Sequence, residues 1–414
     1  MKDAAQWKKE LREKILDGLD YSKDMSDAEV KELVEEMIVG EAELKLYPPD
    51  FRSRLSREVF NSLRRLDILQ MFVEDPGITE IMINGTAPIF VEQNGYLKEL
   101  DRRFESEEKL LDVIQQIVAD CNRSVNEASP IVDARLKNGS RVNIVMKPVA
   151  LNGPILTIRR FPEKPITIEE LLRWGTLTAQ AAEFLKVLVK SRYNIFISGG
   201  TGSGKTTFLN VLSGFIPPGE RVITIEDNAE LQIQGIRNLV RLETRQNQAE
   251  GCREISIRSL IRASLRMRPD RIIVGEVRGA ETVDMIQAMN TGHEGSMSTG
   301  HANSAADMLA RLENMILMGM EIPLPAVRRQ LTGGINIIVH LGKLRDQSRK
   351  VLEIAEVDGM DGEEIRLNCL YEFMEEGQDE DGKVRGSLVK KGMLKNEKKL
   401  KMAGMVLAEE RENS

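Results

Sequence analysis

One eight-residue segment constrains this 414-residue chain more than any other. Residues 199–206 read Gly-Gly-Thr-Gly-Ser-Gly-Lys-Thr, a full match to G-x-x-x-x-G-K-[ST]. An apolar stretch, 194–198, precedes the segment, and a helix-like stretch, 207–212, follows it. A phosphate-binding loop (P-loop) requires this strand–loop–helix context. A flexible glycine-rich turn with a chance lysine would not need either flank.

The residue types in this loop suit a bound phosphate. Glycine tolerates positive φ and close backbone approach, so successive N–H groups can surround an anion, and the helix that follows adds its positive dipole end. Lys205 is expected to reach the β- and γ-phosphates of ATP, and the Thr206 hydroxyl to bind Mg²⁺. The predicted nucleotide-binding residues of the loop are Gly200, Thr201, Gly202, Ser203, Gly204, Lys205, Thr206 and Thr207.

Two other apolar stretches end in carboxylates. Residues 221–226 end in Glu226, and residues 271–274 are followed by Gly275 and Glu276. Because strand ends of a parallel sheet meet at the edge that carries the P-loop, both acids are predicted to enter one crevice. One of them would orient the attacking water, and Glu276 would hold Mg²⁺ or act on the nucleophile. Helix capping is the alternative role for each acid. The sequence does not indicate which of Glu226 and Glu276 activates the water and which binds the metal.

Histidines and arginines cluster after these strands. His293 and His301 lie in a polar, glycine-rich stretch where a γ-phosphate sensor would sit, whereas His340 lies in an apolar run and is predicted to be structural. Between residues 237 and 278 there are ten arginines and no lysine. Arginine binds phosphate or carboxylate as a bidentate fork. These residues would bridge subunits, contact a neighbour's nucleotide, or form ion pairs within the chain.

Composition limits the classes of protein that remain. The net charge is −7, which argues against a general nucleic-acid binder, and no apolar run approaches the ~18–20 residues that cross a bilayer. The N-terminal residues lack the apolar segment of a signal peptide, so a cytoplasmic protein is expected. The cysteines, at positions 121, 252 and 369, are far apart and indicate neither a disulfide framework nor a zinc site.

The length of the chain and its alternation of strand-like and helix-like patterns predict an α/β protein of several domains. A capping box at Ser26–Glu29 opens a helix, and turn residues at 75–77 begin a stretch with strand patterns. Residues 375–381 are interpreted as a solvated acidic loop. The predicted regions are a helical N-terminal region at 1–73, a small α+β domain at 74–161, a linker at 162–175, a P-loop domain at 176–373 and a C-terminal tail at 374–414.

The order of these motifs resembles one superfamily. The P-loop is followed by Ile225-Glu226-Asp227, by Arg268-Pro269-Asp270 with Gly275-Glu276, and by Thr291-Gly292-His293. This series is similar to the Walker A motif, Asp box, Walker B motif and His box of the type II/IV secretion ATPases (GspE/PulE-like). Further segments narrow the resemblance to the CpaF/TadA type: Leu242-Glu243-Thr244-Arg245, Ser298-Thr299-Gly300-His301, Met82-Ile83-Asn84-Gly85, Asp133-Ala134-Arg135 and Thr157-Ile158-Arg159-Arg160.

The resemblance implies a homo-hexameric ATPase that uses ATP and Mg²⁺. Each subunit would have a PAS-like N-terminal domain hinged to a RecA-like domain, with catalytic Lys205, Glu226, Glu276, His293 and His301. Nucleotide contacts across the hinge would come from Arg135, Arg141, Arg159 and Arg160. Glycine at position 300, where related sequences carry a bulkier residue, would loosen the His301 loop.

The implied work is assembly of a tight-adherence-like type IV pilus or a related secretion system. The motor would act on inner-membrane platform proteins, peripherally attached at the cytoplasmic face of the membrane, with no nucleic acid partner. A retraction or DNA-transfer motor is an alternative within the superfamily. A non-hydrolysing, nucleotide-gated scaffold and a small-molecule kinase are alternatives from other classes.

Overall fold

The computed structural model describes residues 2–18, 25–93, 95–121, 123–160, 164–245 and 254–407. The chain forms two compact units, Met1–Pro162 and Glu163–Ser414. Position 161, the first two linker residues and Cys252, for which the sequence makes predictions, lie outside the described residues. In the described part of the chain, no helix is both long and apolar enough to cross a membrane.

The first unit contains helices followed by a small sheet. Two short 3-10 helices, Glu43–Leu46 and Asp67–Leu69, connect its helices. The other elements are α1 (Ala4–Gly18), α2 (Asp27–Gly40), α3 (Pro49–Arg64), α4 (Gln70–Glu74), β1 (Ile78–Asn84), β2 (Ile89–Gln93), β3 (Tyr96–Leu100), α5 (Glu107–Asp120), β4 (Ile131–Arg135), β5 (Arg141–Val145) and β6 (Ile155–Arg159).

Helices α1, α2 and α3 enclose a hydrophobic core of their own. The predicted capping box is present: the Ser26 side chain accepts from the Glu29 backbone N–H, and the Glu29 carboxylate accepts from the Ser26 N–H. Each helix contributes an apolar stripe to this core, in which buried Trp7 packs edge-on against Tyr47. The helix that the capping box predicts is therefore present, and packing of such apolar stripes supplies most helix stability.

Strands β1 to β6 form an antiparallel sheet in the order β3-β2-β1-β6-β5-β4. Strands β1 and β2 pair as an antiparallel hairpin within the stretch that has strand patterns in the sequence. Alternate residues point to one face and form a core with the apolar side of α5, whose N-cap is Ser106 as its hydroxyl accepts from the Lys109 N–H. The other face carries polar residues, as a half-buried antiparallel sheet allows. These elements confirm a small α+β fold.

The second unit alternates strands and helices and ends in long strands. Its elements are α6 (Ile168–Arg173), α7 (Ala179–Lys190), β7 (Ile195–Gly199), α8 (Lys205–Ser213), β8 (Arg221–Glu226), β9 (Asn238–Glu243), α9 (Ile257–Ser264), β10 (Arg271–Val274), α10 (Glu281–Asn290), β11 (Met297–Gly300), α11 (Ala305–Gly319), α12 (Leu324–Gly334), β12 (Ile337–Lys343), β13 (Arg349–Asp361), β14 (Glu364–Gln378), β15 (Val384–Lys390) and α13 (Lys398–Met402).

These strands form one sheet in the order β15-β14-β13-β12-β7-β11-β10-β8-β9. Six neighbouring strands of this sheet are parallel to one another: β12, β7, β11, β10, β8 and β9. The last three strands of the chain, β13, β14 and β15, extend the sheet beyond β12 with antiparallel pairing. A hydrophobic core lies on each face, so β7 and β10 are buried along their whole length. The short apolar runs predicted as doubly covered parallel strands are confirmed.

The interpretation of the C-terminal acidic stretch as a loop is wrong in its first half. Residues up to Gln378 continue β14, which pairs with β15. The acidic side chains are exposed, but hydrophobic residues on the same strands, including Leu370 and Leu388, enter the core. The carboxylate of buried Glu356 accepts hydrogen bonds from the Lys395 and Asn396 N–H groups at 2.9 and 2.7 Å. The segment after residue 373 is therefore an integral part of the sheet unit.

Candidate nucleotide site

The P-loop connects the end of β7 to the start of α8. Gly199 must be glycine because a Cβ there would lie 2.4 Å from the Leu341 carbonyl oxygen, and Gly204 has a φ of +93°. At Gly200 and Gly202 an added Cβ would meet nothing within 4 Å. The loop thus packs tightly against β12 at its base and is open along its outer curve.

Lys205 lies at the first position of α8 and folds back over the loop. Its Nζ donates to the carbonyl oxygens of Gly199 at 3.0 Å and Gly200 at 2.9 Å. Burial lowers the pKa of Lys205, and the Glu276 carboxylate opposes that shift. Thr206 and Thr207 follow in the first helical turn, half-buried, where backbone N–H groups lack intrahelical acceptors. The loop, the ammonium group and the helix end form an anion-binding arrangement.

Three further side chains continue from Lys205 along the same edge of the sheet. The Lys205 Nζ lies 3.4 Å from His301 Nδ1, and His301 Nε2 lies 2.9 Å from Glu276 Oε1. The second Glu276 oxygen pairs with Arg278 at 2.8 Å. Burial and the Lys205 charge lower the pKa of His301, which favours the neutral imidazole. We call Lys205, His301, Glu276 and Arg278 the charge chain.

Backbone contacts fix the position of Glu276. Thr299 Oγ1 donates to the Gly275 carbonyl at 2.8 Å, and the Val277 N–H donates to the Thr299 carbonyl at 3.0 Å. Strand β11 therefore clamps the turn that follows β10 on both sides of Glu276. The placement of both carboxylates follows from strand order, since β11 and β10 lie between the P-loop strand and β8.

Glu226, at the end of β8, is a buried carboxylate with one uncommitted oxygen. Its Oε1 accepts from the N–H groups of Glu230 at 3.1 Å and Leu231 at 2.9 Å. Its Oε2 is buried and has no hydrogen-bond partner among the described residues. Burial raises the pKa of Glu226 to about 7, against those two backbone bonds. Gly275 is adjacent, and a Cβ there would lie 3.1 Å from Glu226 Cγ, so glycine at 275 makes room for this acid.

The structure separates the two predicted sensor histidines. His301 follows the carboxyl end of β11, level with the end of β7. His293 precedes the amino end of β11, at the opposite edge of the sheet, and its Nδ1 lies 3.3 Å from the Ala288 carbonyl. Within one chain, therefore, only His301 meets Lys205, and a sensing role for His293 stays a prediction. His340 is buried in β12 with its Nδ1 2.9 Å from Ser198 Oγ, a packed position of the kind predicted.

The expectation that Gly300 loosens the His301 loop is wrong. Gly300 is the buried last residue of β11. A Cβ there would lie 2.8 Å from Met308 Cε and 3.1 Å from Phe196 Cε1. The neighbouring side chains already fill the space that a larger residue would take, so the strand is held where His301 begins.

Among the small-domain arginines, three lie in a row and one does not. Arg135 pairs in register with Arg141 on the next strand, and Arg141 with Arg159, so all three lie side by side across the polar face of the antiparallel sheet. Arg160 instead donates to the backbone carbonyls of Asp75 and Ile78. Carboxylates accompany this row, since Arg159 pairs with Glu80 at 3.4 Å and Arg141 lies 3.7 Å from Asp133. The Arg160 guanidinium instead ties the end of β6 to the turn before β1.

The arginine-rich segment forms ion pairs within the chain. Arg258 and Arg262, one turn apart on α9, both pair at 2.7 Å with buried Asp284 of α10. Arg271 is fully buried and binds Glu220 through two nitrogens. For these residues the intramolecular alternative is confirmed. Arg266 and Arg268 are exposed.

Sequence reasoning missed two arginines at the site. Arg278 stands two residues after Glu276, and its pairing could have been anticipated from that proximity. Arg349, at the start of β13, donates to the Gly202 carbonyl of the P-loop at 2.8 Å. No sequence signal links Arg349 to the loop, because the contact depends on the antiparallel pairing of β13 with β12.

The residues near the P-loop fit a magnesium–nucleotide complex better than a bare ion. Within the described residues, no group of three or more His, Cys, Asp or Glu side chains could hold a metal. Mg²⁺ is commonly bound through one or two protein oxygens together with substrate phosphates and water. The Thr206 hydroxyl at the start of α8 and the Glu276 carboxylate, clamped at the same edge of the sheet, would supply those oxygens.

A parallel sheet with a P-loop at one strand end and carboxylates at two others defines the P-loop nucleotide-binding class. The family model described as "Type II/IV secretion system protein" matches residues 63–370, well over half of the chain. The chain belongs to this family.

Relatives agree with that assignment, and one solved structure shares the fold. A putative conjugal transfer protein of Mycobacterium tuberculosis is 34% identical over 294 residues, covering 70% of this chain and 83% of that protein. The type IV secretion system protein PtlH of Bordetella pertussis is 33% identical over 327 residues, covering 71% and 95%. The crystal structure of the pilus retraction motor PilT with bound ADP has a TM-score of 0.52 at 22% identity, over 73% and 82% of the two chains, and shares the fold.

Proposed function

We propose that this protein is an ATP-hydrolysing motor that works as a homo-hexamer and powers assembly of a tight-adherence-like type IV pilus or a related secretion system. The observation that carries the ATPase part is the charge chain at the P-loop together with the buried Glu226 carboxylate. A scaffold that only bound nucleotide would not need a buried carboxylate that has one oxygen without a hydrogen bond and a raised pKa. The names of the similar proteins, which include conjugal transfer, keep DNA transfer as the second candidate.

The geometry supports different duties for the two carboxylates. Glu226, with a buried free oxygen and a pKa near neutrality, suits the general base that takes a proton from water. Glu276 lies next to His301, which in turn lies next to Lys205, so its carboxylate is placed to bind a magnesium ion held by the phosphates. Bound Mg²⁺ would neutralise phosphate charge as it develops. We assign proton acceptance to Glu226 and metal binding to Glu276 and Thr206.

His301 is proposed as the sensor of the terminal phosphate. Its imidazole lies between Lys205 and Glu276, so an anion that attracts the ammonium group would alter both of its contacts. The basic row of Arg135, Arg141 and Arg159 is proposed to bind nucleotide as well. The motor would attach to the cytoplasmic face of the inner membrane through platform proteins.

The first test is steady-state ATP hydrolysis by wild type, Lys205→Ala and Glu276→Gln, with oligomer size measured for each. Wild type is expected to show a Mg²⁺-dependent rate that is concentrated in the hexamer. Lys205→Ala should weaken nucleotide binding at least ~10-fold through loss of the phosphate contact. Glu276→Gln should bind nucleotide and lose the Mg²⁺-dependent hydrolysis. Nucleotide binding without hydrolysis by the wild-type hexamer, with lipid added, would favour the scaffold.

The raised pKa of Glu226 predicts how the rate depends on pH. A general base must be ionised to accept a proton, and a pKa of about 7 means that ionisation rises as pH rises through neutrality. We expect kcat to increase ~10-fold between pH 6 and pH 8 for one group that titrates near 7. The check is kcat measured across that range together with ADP affinity, which should change little. A flat kcat profile, with chemistry shown to limit the rate, would remove Glu226 as the base.

A further inference from the structure

We propose that Arg349 is a positioning residue of the nucleotide site that acts on the P-loop from outside the motif; the inference depends on the proposed nucleotide binding. Its Nε donates to the Gly202 carbonyl at 2.8 Å. Its Cδ would lie 3.7 Å from a Cβ built on Gly204, so the aliphatic part of the side chain runs over the loop. Arg349 therefore covers the loop at two of its glycines.

The contact orients one peptide group of the loop. In a trans peptide the C=O and N–H point to opposite sides, so holding the Gly202 carbonyl also sets the direction of the Ser203 N–H. Gly202 and Gly204 have φ values of +72° and +93°, and glycine has little conformational preference of its own. Within the loop the Ser203 N–H donates to the Gly200 carbonyl over a long 3.4 Å, so the shorter bond from Arg349 to the Gly202 carbonyl is a second constraint on the same peptide group. N–H groups of this loop are the ones that surround phosphate oxygens.

The backbone around Arg349 provides a rigid base for this contact. Lys350 is buried, and its Nζ donates to the carbonyls of Trp174 at 3.0 Å and Gly175 at 2.7 Å. The Val351 N–H donates to the Thr176 carbonyl at 2.9 Å. Two anchored neighbours hold the start of β13 in place, so the backbone from which the Arg349 side chain extends is fixed beside the loop.

Strand register explains why β13 reaches the loop. Leu341 of β12 pairs with Gly199 on one side and with Val351 of β13 on the other. The start of β13 is thus level with the end of β7, where the P-loop begins. Its position in the sheet makes Arg349 a fixed part of the loop's surroundings, and its charge also favours a nearby phosphate.

The test compares Arg349→Gln, Arg349→Lys and Arg345→Gln in the full chain. Arg345 stands in the same turn between β12 and β13 but pairs with exposed Glu375, so its removal should matter little. Affinity for Mg–ADP, KM and kcat for ATP, and thermal stability are measured for each. Arg349→Gln should weaken Mg–ADP binding and raise KM by ~10-fold, the effect of one charge-assisted hydrogen bond, with kcat within ~2-fold. Arg349→Lys should recover part of the affinity, and Arg345→Gln should match wild type.

The outcomes separate this inference from the proposed function. If wild type binds Mg–ADP, Lys205→Ala does not, and Arg349→Gln binds as wild type does, Arg349 has no positioning role and the motor proposal stands. If wild type binds no nucleotide, both proposals fail. If Arg349→Gln does not fold, Arg349→Lys decides: an affinity equal to wild type would overturn the requirement for the guanidinium, and a loss at unchanged thermal stability would support it.

Discussion

Glu226→Gln is expected to lower kcat for ATP hydrolysis by ~10²–10⁴-fold, the range that a positioned general base contributes, with nucleotide affinity near that of wild type. The amide keeps the shape of the side chain and retains an oxygen for the Glu230 and Leu231 N–H groups that Oε1 now accepts. It removes the basic oxygen at Oε2. The turn after β8 should therefore stay folded while proton acceptance is lost.

Glu243→Gln provides the matched control. Glu243 ends the neighbouring parallel strand β9, in register with Glu226, but its side chain is exposed. Its loss should change kcat by less than ~2-fold because an exposed carboxylate contributes little to a buried site. The measurements are single-turnover hydrolysis and equilibrium ADP binding. A Glu226→Gln enzyme that turns over at a tenth of the wild-type rate or faster would move the base to Glu276 or to water alone.

Local patterns predicted the elements that create the site. Consecutive apolar residues marked β7, β8 and β10, and the P-loop motif fixed which sheet edge binds phosphate, so Lys205, Glu226 and Glu276 could be named in advance. Strand order then brought His301 beside Lys205. His293 lies apart from His301 because the seven residues between them include the buried strand β11, which places the two histidines at opposite edges of the sheet, so a sensing role for His293 stays a prediction.

Other parts of the site depend on pairing between distant segments. Strand β13 pairs antiparallel with β12, and this pairing brings Arg349 to Gly202. The spacing of residues within one segment does not indicate which distant strand it will pair with. The acidic residues at the end of β14 were taken for a loop because a run of charged residues is typical of a solvated segment, although Leu370 and Tyr371 earlier in the same strand are buried. The arginine-rich segment left three alternatives open, since an arginine's partner is decided by tertiary packing.

Removal of the buried Arg271 guanidinium is expected to lower the free energy of unfolding of the second unit by up to ~3–5 kcal/mol, because the buried Glu220 carboxylate loses its two close bonds and keeps the longer ion pair with Arg192, at 3.4 Å. Arg271 is fully buried at the start of β10, binds Glu220 through Nε at 2.6 Å and Nη2 at 3.0 Å, and donates to the Val189 carbonyl at 2.7 Å. Arg271→Met would keep much of the volume and remove all three donors.

A double variant separates two contributions to the loss of stability: the free energy of burying the Glu220 carboxylate without Arg271, and the stabilisation that the Arg271–Glu220 pair itself provides. If the loss arises from the Glu220 carboxylate, which then has Arg192 at 3.4 Å as its ion-pair partner, Arg271→Met with Glu220→Leu should recover much of the stability, since apolar replacement of a buried pair is often neutral. Arg345→Met, which breaks an exposed pair with Glu375, should cost less than ~1 kcal/mol.

Denaturant unfolding is followed through Trp174 in a Trp7→Phe background, because each unit contains one of the two tryptophans. All variants are compared in that background, so the change in the first unit cancels. Arg271 lies at the amino edge of the sheet, whereas the P-loop lies at the carboxyl edge. If Arg271→Met stayed within 1 kcal/mol of its background, the amino ends of the parallel strands would have to be held by the apolar cores alone. A large loss that the double variant did not reduce would instead assign the stabilisation to the guanidinium's bond with the Val189 carbonyl, which the double variant also lacks.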